Sequence, residues 1–179
     1  MFYRRKLPHW IPTDAIVFVT WRLAESAPPE QGRRSHCWVQ SGSGPFWLLN
    51  AGIAAMLTDA LRYGEATRQF YRLYAWVIMP NHVHVILQPR IELSAVMRWL
   101  KGRTSRMANR MLGRTGTAFW QDESFDHWIR CSQELAELIE YIESNPVKAG
   151  LVEAASEWPW SSAGERQTTK GDRLPHILD

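Results

Sequence analysis

The sequence contains few cysteines and no long apolar run. Only two of its 179 residues are cysteines, Cys37 and Cys131, and two thiols placed so far apart indicate neither a disulfide framework nor a thiolate metal site. No apolar run approaches the roughly 20 residues that a bilayer crossing needs, and the basic start MFYRRKLPHW lacks the apolar core of a signal peptide. These absences predict a cytoplasmic, globular protein with no membrane partner.

Acidic residues are absent from one long stretch. Between Glu92 and Asp122 the chain has only basic charges, namely Arg98, Lys101, Arg103, Arg106, Arg110 and Arg114. The net charge is +3 and the pI about 9.1. An uninterrupted basic stretch attracts polyanions such as nucleic acid, although a solvated helix face is the alternative interpretation. The ten tryptophans are mostly expected in the core, but indoles beside basic residues can also stack on single-stranded bases.

Length and composition predict one domain. The 179 residues can bury a substantial core, and we find no internal repeat. Residues 1–162 are assigned to the domain and 163–179 to a polar, loosely ordered C-terminal tail. Residues 27–45, rich in Gly, Pro and Ser, predict a loop long enough to be an insertion.

Hydrophobic periodicity predicts an alternating order of strands and helices. Strands are predicted at 15–23, 71–79, 82–88 and 124–130, and helices at 47–64, at about 92–112, and from a Ser132 cap to the residue before Pro146. Pro80-Asn81 favours a tight hairpin turn, and Gly64 a helix end. The order predicts an α+β fold, a ferredoxin-like βαββαβ antiparallel sheet with an added C-terminal helix.

Two histidines interrupt an apolar strand in VIMPNHVHVILQPR. Residues two apart in a strand share a face, so His82 and His84 are expected to point the same way. Two neutral imidazoles can bind one metal ion and leave its other positions to oxygen ligands, water or substrate. A pair of histidines satisfied by structural hydrogen bonds is the alternative.

A second polar pair lies on the last predicted helix. At about 100° per residue, Tyr141 lies on the flank of the apolar ridge, and Asn145 lies over it one turn later. A half-buried surface tyrosine and an asparagine that ends the helix are the alternative interpretation.

These segments together resemble one protein family. MPNHVHVIL, then FW and DHWIR, then YIESNPVKAGLV and WPWSS, resemble in this order the REP-associated tyrosine transposases. These are bacterial relatives of insertion-sequence transposases that use one catalytic tyrosine and a His-hydrophobe-His metal motif. The resemblance extends from about residue 2, where FYRR begins, to about residue 162.

The resemblance implies a role for each matching position. His82 and His84 correspond to the metal-binding histidines, Tyr141 to the catalytic tyrosine on the added helix, and Asn145 to a further ligand that is often Gln in related enzymes. Family members bind single-stranded DNA hairpins of repetitive extragenic palindromes and cut beside them, as monomers or homodimers. The expected location is the cytoplasm, in association with the nucleoid.

The residue types suit this chemistry. Mg²⁺ or Mn²⁺ is the expected ion because phosphate oxygens and water would complete its coordination. The phenolate would attack the phosphodiester, leaving a 5′-phosphotyrosine and a free 3′-hydroxyl.

Other residues are expected to bind the DNA. Arg103, Arg106 and Arg110 would contact phosphates of the hairpin stem. Arg4 and Arg5 would hold unpaired guide bases, so replacing both with alanine should weaken binding of hairpins that carry such bases. His127 suits a structural hydrogen bond as well as a role in the site.

Three other functions remain open from the sequence. A domesticated relative could bind hairpins without cleaving them. A metal-dependent hydrolase using water would leave no protein adduct and would survive Tyr141→Phe. A small structural protein of this fold would need neither metal nor DNA.

Overall fold

The computed structural model describes residues 15–25 and 44–168. The strands are β1 (Ile16–Arg22), β2 (Tyr71–Met79), β3 (His82–Pro89) and β4 (Phe125–Ile129), and the helices are α1 (Ala51–Ala66), α2 (Leu93–Met111), α3 (Ser132–Lys148) and α4 (Ala163–Thr168). Short 3-10 turns lie at Trp47–Leu49 and Ala155–Glu157. Arg4, Arg5 and most of the predicted 27–45 loop lie outside the described residues.

The four strands form one antiparallel sheet in the order β2-β3-β1-β4. β3 pairs with both β1 and β2 and runs opposite to each, so β1 and β2 are parallel and connected through α1. This is the split βαβ arrangement of ferredoxin-like folds. The predicted βαββαβ sheet with a further helix is therefore confirmed, with strand ends within two residues of the prediction.

The alternation of side chains along each strand divides the core into two layers. On one face, residues such as Val17, Val19 and Val85 pack with α1 and α2. On the other face, Ile16, Phe18, Val77 and Ile86 pack with Leu135, Ile139 and Ile142 of α3. Within residues 15–25 and 44–168, none of the helices combines the length and apolar composition of a membrane span.

The segment WPWSS covers the outer edge of β2. Trp158 Nε1 donates to the Ile78 carbonyl at 3.0 Å, and the backbones of Ser162 and Trp76 are hydrogen bonded at 2.9 Å. The Ser162 hydroxyl also donates to Glu143 of α3 at 2.7 Å. This family-like motif therefore closes one sheet edge and ties α3 to the sheet.

Helix α3 continues past Pro146, contrary to the prediction that it ends at Asn145. The proline removes only the hydrogen bond of its own nitrogen, and the ladder resumes with Ala149 N donating to the Asn145 carbonyl at 2.9 Å. Gly150, at φ +68°, ends the helix in the left-handed conformation that glycine tolerates. Tyr141 and Asn145 consequently lie within a continuous helix.

The C-terminal segment is ordered further than predicted. Residues 163–168 form α4, where the sequence indicated a loosely ordered tail. Ala163 is buried, and Arg62 of α1 forms an ion pair with Glu165. These contacts extend the folded domain beyond residue 162.

Gly64 lies inside α1 rather than at its predicted end. A Cβ at this position would lie 2.2 Å from the Tyr71 hydroxyl, which donates to the Leu61 carbonyl at 2.7 Å. We expect Gly64→Ala to lower the free energy of unfolding by about 1–3 kcal/mol, because the buried tyrosine must shift. Thermal or urea unfolding measures this change.

Gly102 of α2 supplies the control for that prediction. A Cβ there meets no atom within 4 Å, so Gly102→Ala should stabilise the protein by about 0.5–1 kcal/mol through its helix propensity. Equal responses of the two variants would contradict a steric role for Gly64.

Candidate active site

The two histidines lie on the α3 face of the sheet, both buried. Strand pairing places four residues in a line across all four strands, Val77 (β2), His84 (β3), Thr20 (β1) and Phe125 (β4). We call this line the His84 row. His82 follows on the same face, with its ring centroid 4.6 Å from that of His84, so the shared orientation predicted for the pair is confirmed.

Each imidazole is oriented through its Nδ1 atom. The Nδ1 of His82 donates to Asn81 Oδ1 at 2.6 Å, and the Nδ1 of His84 lies 2.6 Å from Thr20 Oγ1. Nε2 is therefore the nitrogen that each ring can offer to a ligand. Among residues 15–25 and 44–168, no hydrogen-bond partner reaches the buried Nε2 of His82, as expected of a site that accepts a ligand from outside the protein.

The electrostatic surroundings keep His82 neutral. Burial lowers the pKa of His82 well below its usual value, and the neighbouring His84 and Arg22 lower it further. A neutral imidazole has the lone pair that a metal ligand needs.

Tyr141 lies beside the histidines. Its ring is half-buried against the α3 face of the sheet, and its centroid is 6.0 Å from that of His84. The exposed Lys148, two turns further along α3, places Nζ 5.0 Å from the centre of the tyrosine ring. The flank position expected for Tyr141 is thus correct, and it brings a phenol to the histidine pair.

Asn145 is buried one helical turn beyond Tyr141. Its Nδ2 atom has no hydrogen-bond partner within the described part of the chain, and a buried amide of this kind is uncommon in proteins. Because amide oxygen and nitrogen are nearly interchangeable in such assignments, Asn145 can equally turn its oxygen toward a ligand. Its role as a ligand stays a prediction.

Arg22 is a residue of the site that the sequence analysis did not identify. It pairs with His82 across β1 and β3. Burial lowers the pKa of its guanidinium, and the nearby Tyr141 partly raises it. The available signal was a basic residue at the end of the apolar strand AIVFVTWRL, since a charge so close to the core needs a polar counterpart.

The basic row of α2 lies on the opposite side of the sheet from the histidines, since α2 packs against the other core layer. Arg106 and Arg110 are exposed. The half-buried Arg103 places its guanidinium 5.3 Å from the centre of the Tyr63 ring. The structure thus brings together His82, His84 and Tyr141, and it leaves the predicted DNA-binding arginines on another layer, where their role stays a prediction.

His127 has a structural partner at the start of α3. Its Nε2 lies 2.7 Å from Glu134 Oε1, and Glu134 Oε2 accepts from the Arg130 amide at 2.7 Å. These bonds join β4 to α3. Cys131, rather than the predicted Ser132, is the N-cap residue, and its side chain forms no capping bond with the described residues.

The donor set suits a hard divalent ion bound partly by substrate. In the described part of the chain no group of three or more His, Cys, Asp and Glu side chains could hold a metal. Two imidazoles would therefore be complemented by an amide, phosphate oxygens and water, a mixture that Mg²⁺ and Mn²⁺ accept. The unpartnered Nε2 of His82 and the buried amide of Asn145 fit such an ion.

Two curated relatives align with this chain. A protein of Haemophilus influenzae described as a putative REP-associated tyrosine transposase is 33% identical over 104 residues, covering 51% of this chain and 58% of the relative. The REP-associated tyrosine transposase of Escherichia coli K12 is 31% identical over 108 residues, covering 60% of this chain and 62% of the relative. The aligned region thus spans less than two thirds of either relative.

A solved structure has the same fold. The REP-associated tyrosine transposase bound to a REP hairpin superposes with a TM-score of 0.65 at 23% identity, covering 99% of this chain and 96% of that one. The family model described as "Transposase IS200 like" matches residues 49–145. This match includes both histidines, Tyr141 and Asn145 and covers more than half of the chain, which therefore belongs to the IS200-like transposase family.

Proposed function

We propose that this transposase is a metal-dependent single-stranded DNA endonuclease and strand transferase that acts through Tyr141. The observation that supports the proposal most directly is the meeting of His82, His84 and Tyr141 on one face of the sheet. The ring centroid of His84 lies 4.6 Å from that of His82 and 6.0 Å from that of Tyr141. A phenol beside two imidazoles suits phosphoryl transfer better than binding alone.

The residues divide the chemistry between them. Mg²⁺ or Mn²⁺ held by His82, His84 and Asn145 would neutralise the phosphate oxygens. Tyr141 Oη attacks phosphorus, an O–P bond to the tyrosine forms, and the bond from phosphorus to the 3′-oxygen breaks. The phenol proton is lost and the departing 3′-oxygen gains one, so the products are a 5′-phosphotyrosine and a 3′-hydroxyl. Attack by another 3′-hydroxyl reverses the step and joins strands without ATP.

Hairpins of repetitive extragenic palindromes are the proposed substrate. Both aligned relatives are named as REP-associated, and the structural neighbour is described as bound to a REP hairpin. A hairpin presents both a phosphate-rich stem for basic residues and unpaired flanks that can enter a cleavage site.

Adduct formation tests the proposed function. The protein is incubated with Mn²⁺ and a labelled pool of single-stranded DNA hairpins with varied flanks, and the mixture is separated on a denaturing gel. We expect a labelled protein band, and sequencing of the trapped DNA would identify the hairpin. Hairpin binding without adduct or cleavage would instead support a non-cleaving binding protein, and cleavage without adduct a hydrolase using water.

Arg22 is expected to assist the reaction more than binding. Its guanidinium lies on the site face near Tyr141, where it can stabilise negative charge on the phenolate and on the scissile phosphate. We expect Arg22→Gln to slow single-turnover cleavage about 100-fold or more while hairpin affinity changes far less. Arg22→Lys, which keeps the charge, should recover part of the rate. Equal losses of rate and affinity would assign Arg22 to binding alone.

The basic row of α2 is expected to contribute to phosphate binding. Arg103, Arg106 and Arg110 follow one another at spacings of three and four residues, which places them along one helix face. Replacing all three with alanine should weaken hairpin binding and reduce the slope of log affinity against log salt by about 2–3. A salt titration by fluorescence anisotropy measures the slope. An unchanged slope would remove this face from the DNA path.

A further inference from the structure

Phe125 is the most exposed large apolar side chain of the described residues, at 62%. It begins β4, the strand at one edge of the sheet. WPWSS covers the opposite edge, at β2. Among the described residues, β4 pairs with β1 only. An exposed aromatic ring on the regular backbone of a sheet edge can serve as a stacking surface for a base.

Phe125 belongs to the His84 row and therefore faces the same side as the site. Its direct neighbour in the row is Thr20, whose hydroxyl contacts the His84 imidazole. At about 4.8 Å between strands, two strand steps place its backbone roughly 10 Å from that of His84. That distance is within reach of a nucleotide adjoining a phosphate bound at the histidines.

A continuous set of rings joins Phe125 to the nucleophile. The ring of Phe125 meets that of Phe18 edge to face, with centroids 6.3 Å apart. Phe18 stacks on His84 at 5.4 Å, and Tyr141 lies 6.0 Å beyond His84. Phe18 is buried, which leaves Phe125 as the exposed member at the end of this set.

Trp128, on the same strand, provides an internal comparison. It is 41% exposed, but it pairs with Val17 and so faces the opposite side of the sheet. Its ring is also close to the Arg130 guanidinium, at 5.8 Å. Phe125 and Trp128 thus present two exposed aromatic rings on one edge strand, only one of them on the side of the site.

We propose that Phe125 is a base-stacking subsite that holds an unpaired base of the DNA strand next to the scissile phosphate. This inference rests on the proposed function and adds a positioning residue to it. Stacking engages the face of any base, so Phe125 would fix the position of the strand rather than read its sequence. Holding the neighbouring base limits the motion of the phosphate relative to Tyr141, which favours in-line attack.

The experiment uses the Tyr141→Phe protein, so that binding is measured without cleavage. The probe is the hairpin recovered from the adduct pool, with 2-aminopurine placed in turn at each unpaired position flanking the cleavage site. Fluorescence anisotropy first measures hairpin binding, and 2-aminopurine quenching then reports stacking at each position. The compared variants are Phe125→Leu, Phe125→Trp and Trp128→Leu.

We expect quenching at one position close to the cleavage site, lost in Phe125→Leu and retained in Phe125→Trp and Trp128→Leu. Phe125→Leu should also weaken hairpin binding about 5- to 150-fold. When Tyr141 is kept, Phe125→Leu should slow cleavage.

Hairpin binding with identical quenching in Phe125→Leu would overturn the inference while leaving the proposed function intact. If Phe125→Leu also dissociates a dimer detected by size-exclusion chromatography, the exposed edge would serve protein contact instead. Failure to form any adduct or to bind the hairpin would instead count against the proposed function itself.

Discussion

Replacing Tyr141 with phenylalanine is expected to abolish the covalent adduct and to reduce cleavage about a thousandfold or more, because the ring remains while the attacking oxygen is lost. The ring contacts with His84 and Lys148 do not need the hydroxyl, so the variant should fold and bind the hairpin with similar affinity. Denaturing gels and fluorescence anisotropy measure the two properties separately.

Tyr63→Phe is the matched control for this substitution. Tyr63 is an exposed tyrosine of α1, and its ring stacks with Trp99 of α2 on the other side of the sheet. The Tyr63→Phe substitution also removes a tyrosine hydroxyl, but at a position distant from the histidines, so it should leave adduct formation unchanged. Cleavage that survives in Tyr141→Phe would assign the attack to water and refute the tyrosine mechanism.

Removing the histidines is expected to have an effect of similar size. His82→Ala and His84→Ala each delete an imidazole whose Nδ1 is already oriented by a neighbouring side chain. Loss of one of two nitrogen ligands should weaken Mn²⁺ binding about 100-fold or more and suppress Mn²⁺-dependent cleavage accordingly. Calorimetric titration of the protein with Mn²⁺ gives a measure of binding that does not depend on activity.

His127→Ala is the control for the histidine variants. His127 contacts Glu134 near the start of α3, so its loss should alter stability but not Mn²⁺ affinity. His82 and His84 are buried, so replacing either could disturb the fold. Circular dichroism should therefore establish that every variant is folded. Unchanged Mn²⁺ affinity in folded His82→Ala and His84→Ala would show that the pair has a structural role only.

The local features of the site were predictable because they depend on short sequence periods. A spacing of two residues places His82 and His84 on one face of any strand, and a spacing of four places Tyr141 and Asn145 on one flank of any helix. Both statements hold wherever these elements pack in the fold. The ordered set of motifs added the family and a role for each matching residue.

The contribution of Arg22 could not be read in the same way. Its position beside His82 depends on the register between β1 and β3, two strands separated in the sequence by α1 and β2. A shift of that register by one residue would turn Arg22 to the other face. The persistence of α3 through Pro146 was missed for a related reason, since tertiary packing of Ile139 and Ile142 outweighs one lost hydrogen bond.

The sequence by itself determined the order of the elements, the side of the sheet shared by the histidines, and the family. Only the tertiary structure decided which distant residues join them, because pairing between strands and the docking of α3 are set by the whole core. It placed Arg22 beside Tyr141, put Phe125 in line with His84, and separated the arginines of α2 from the site by the thickness of the sheet.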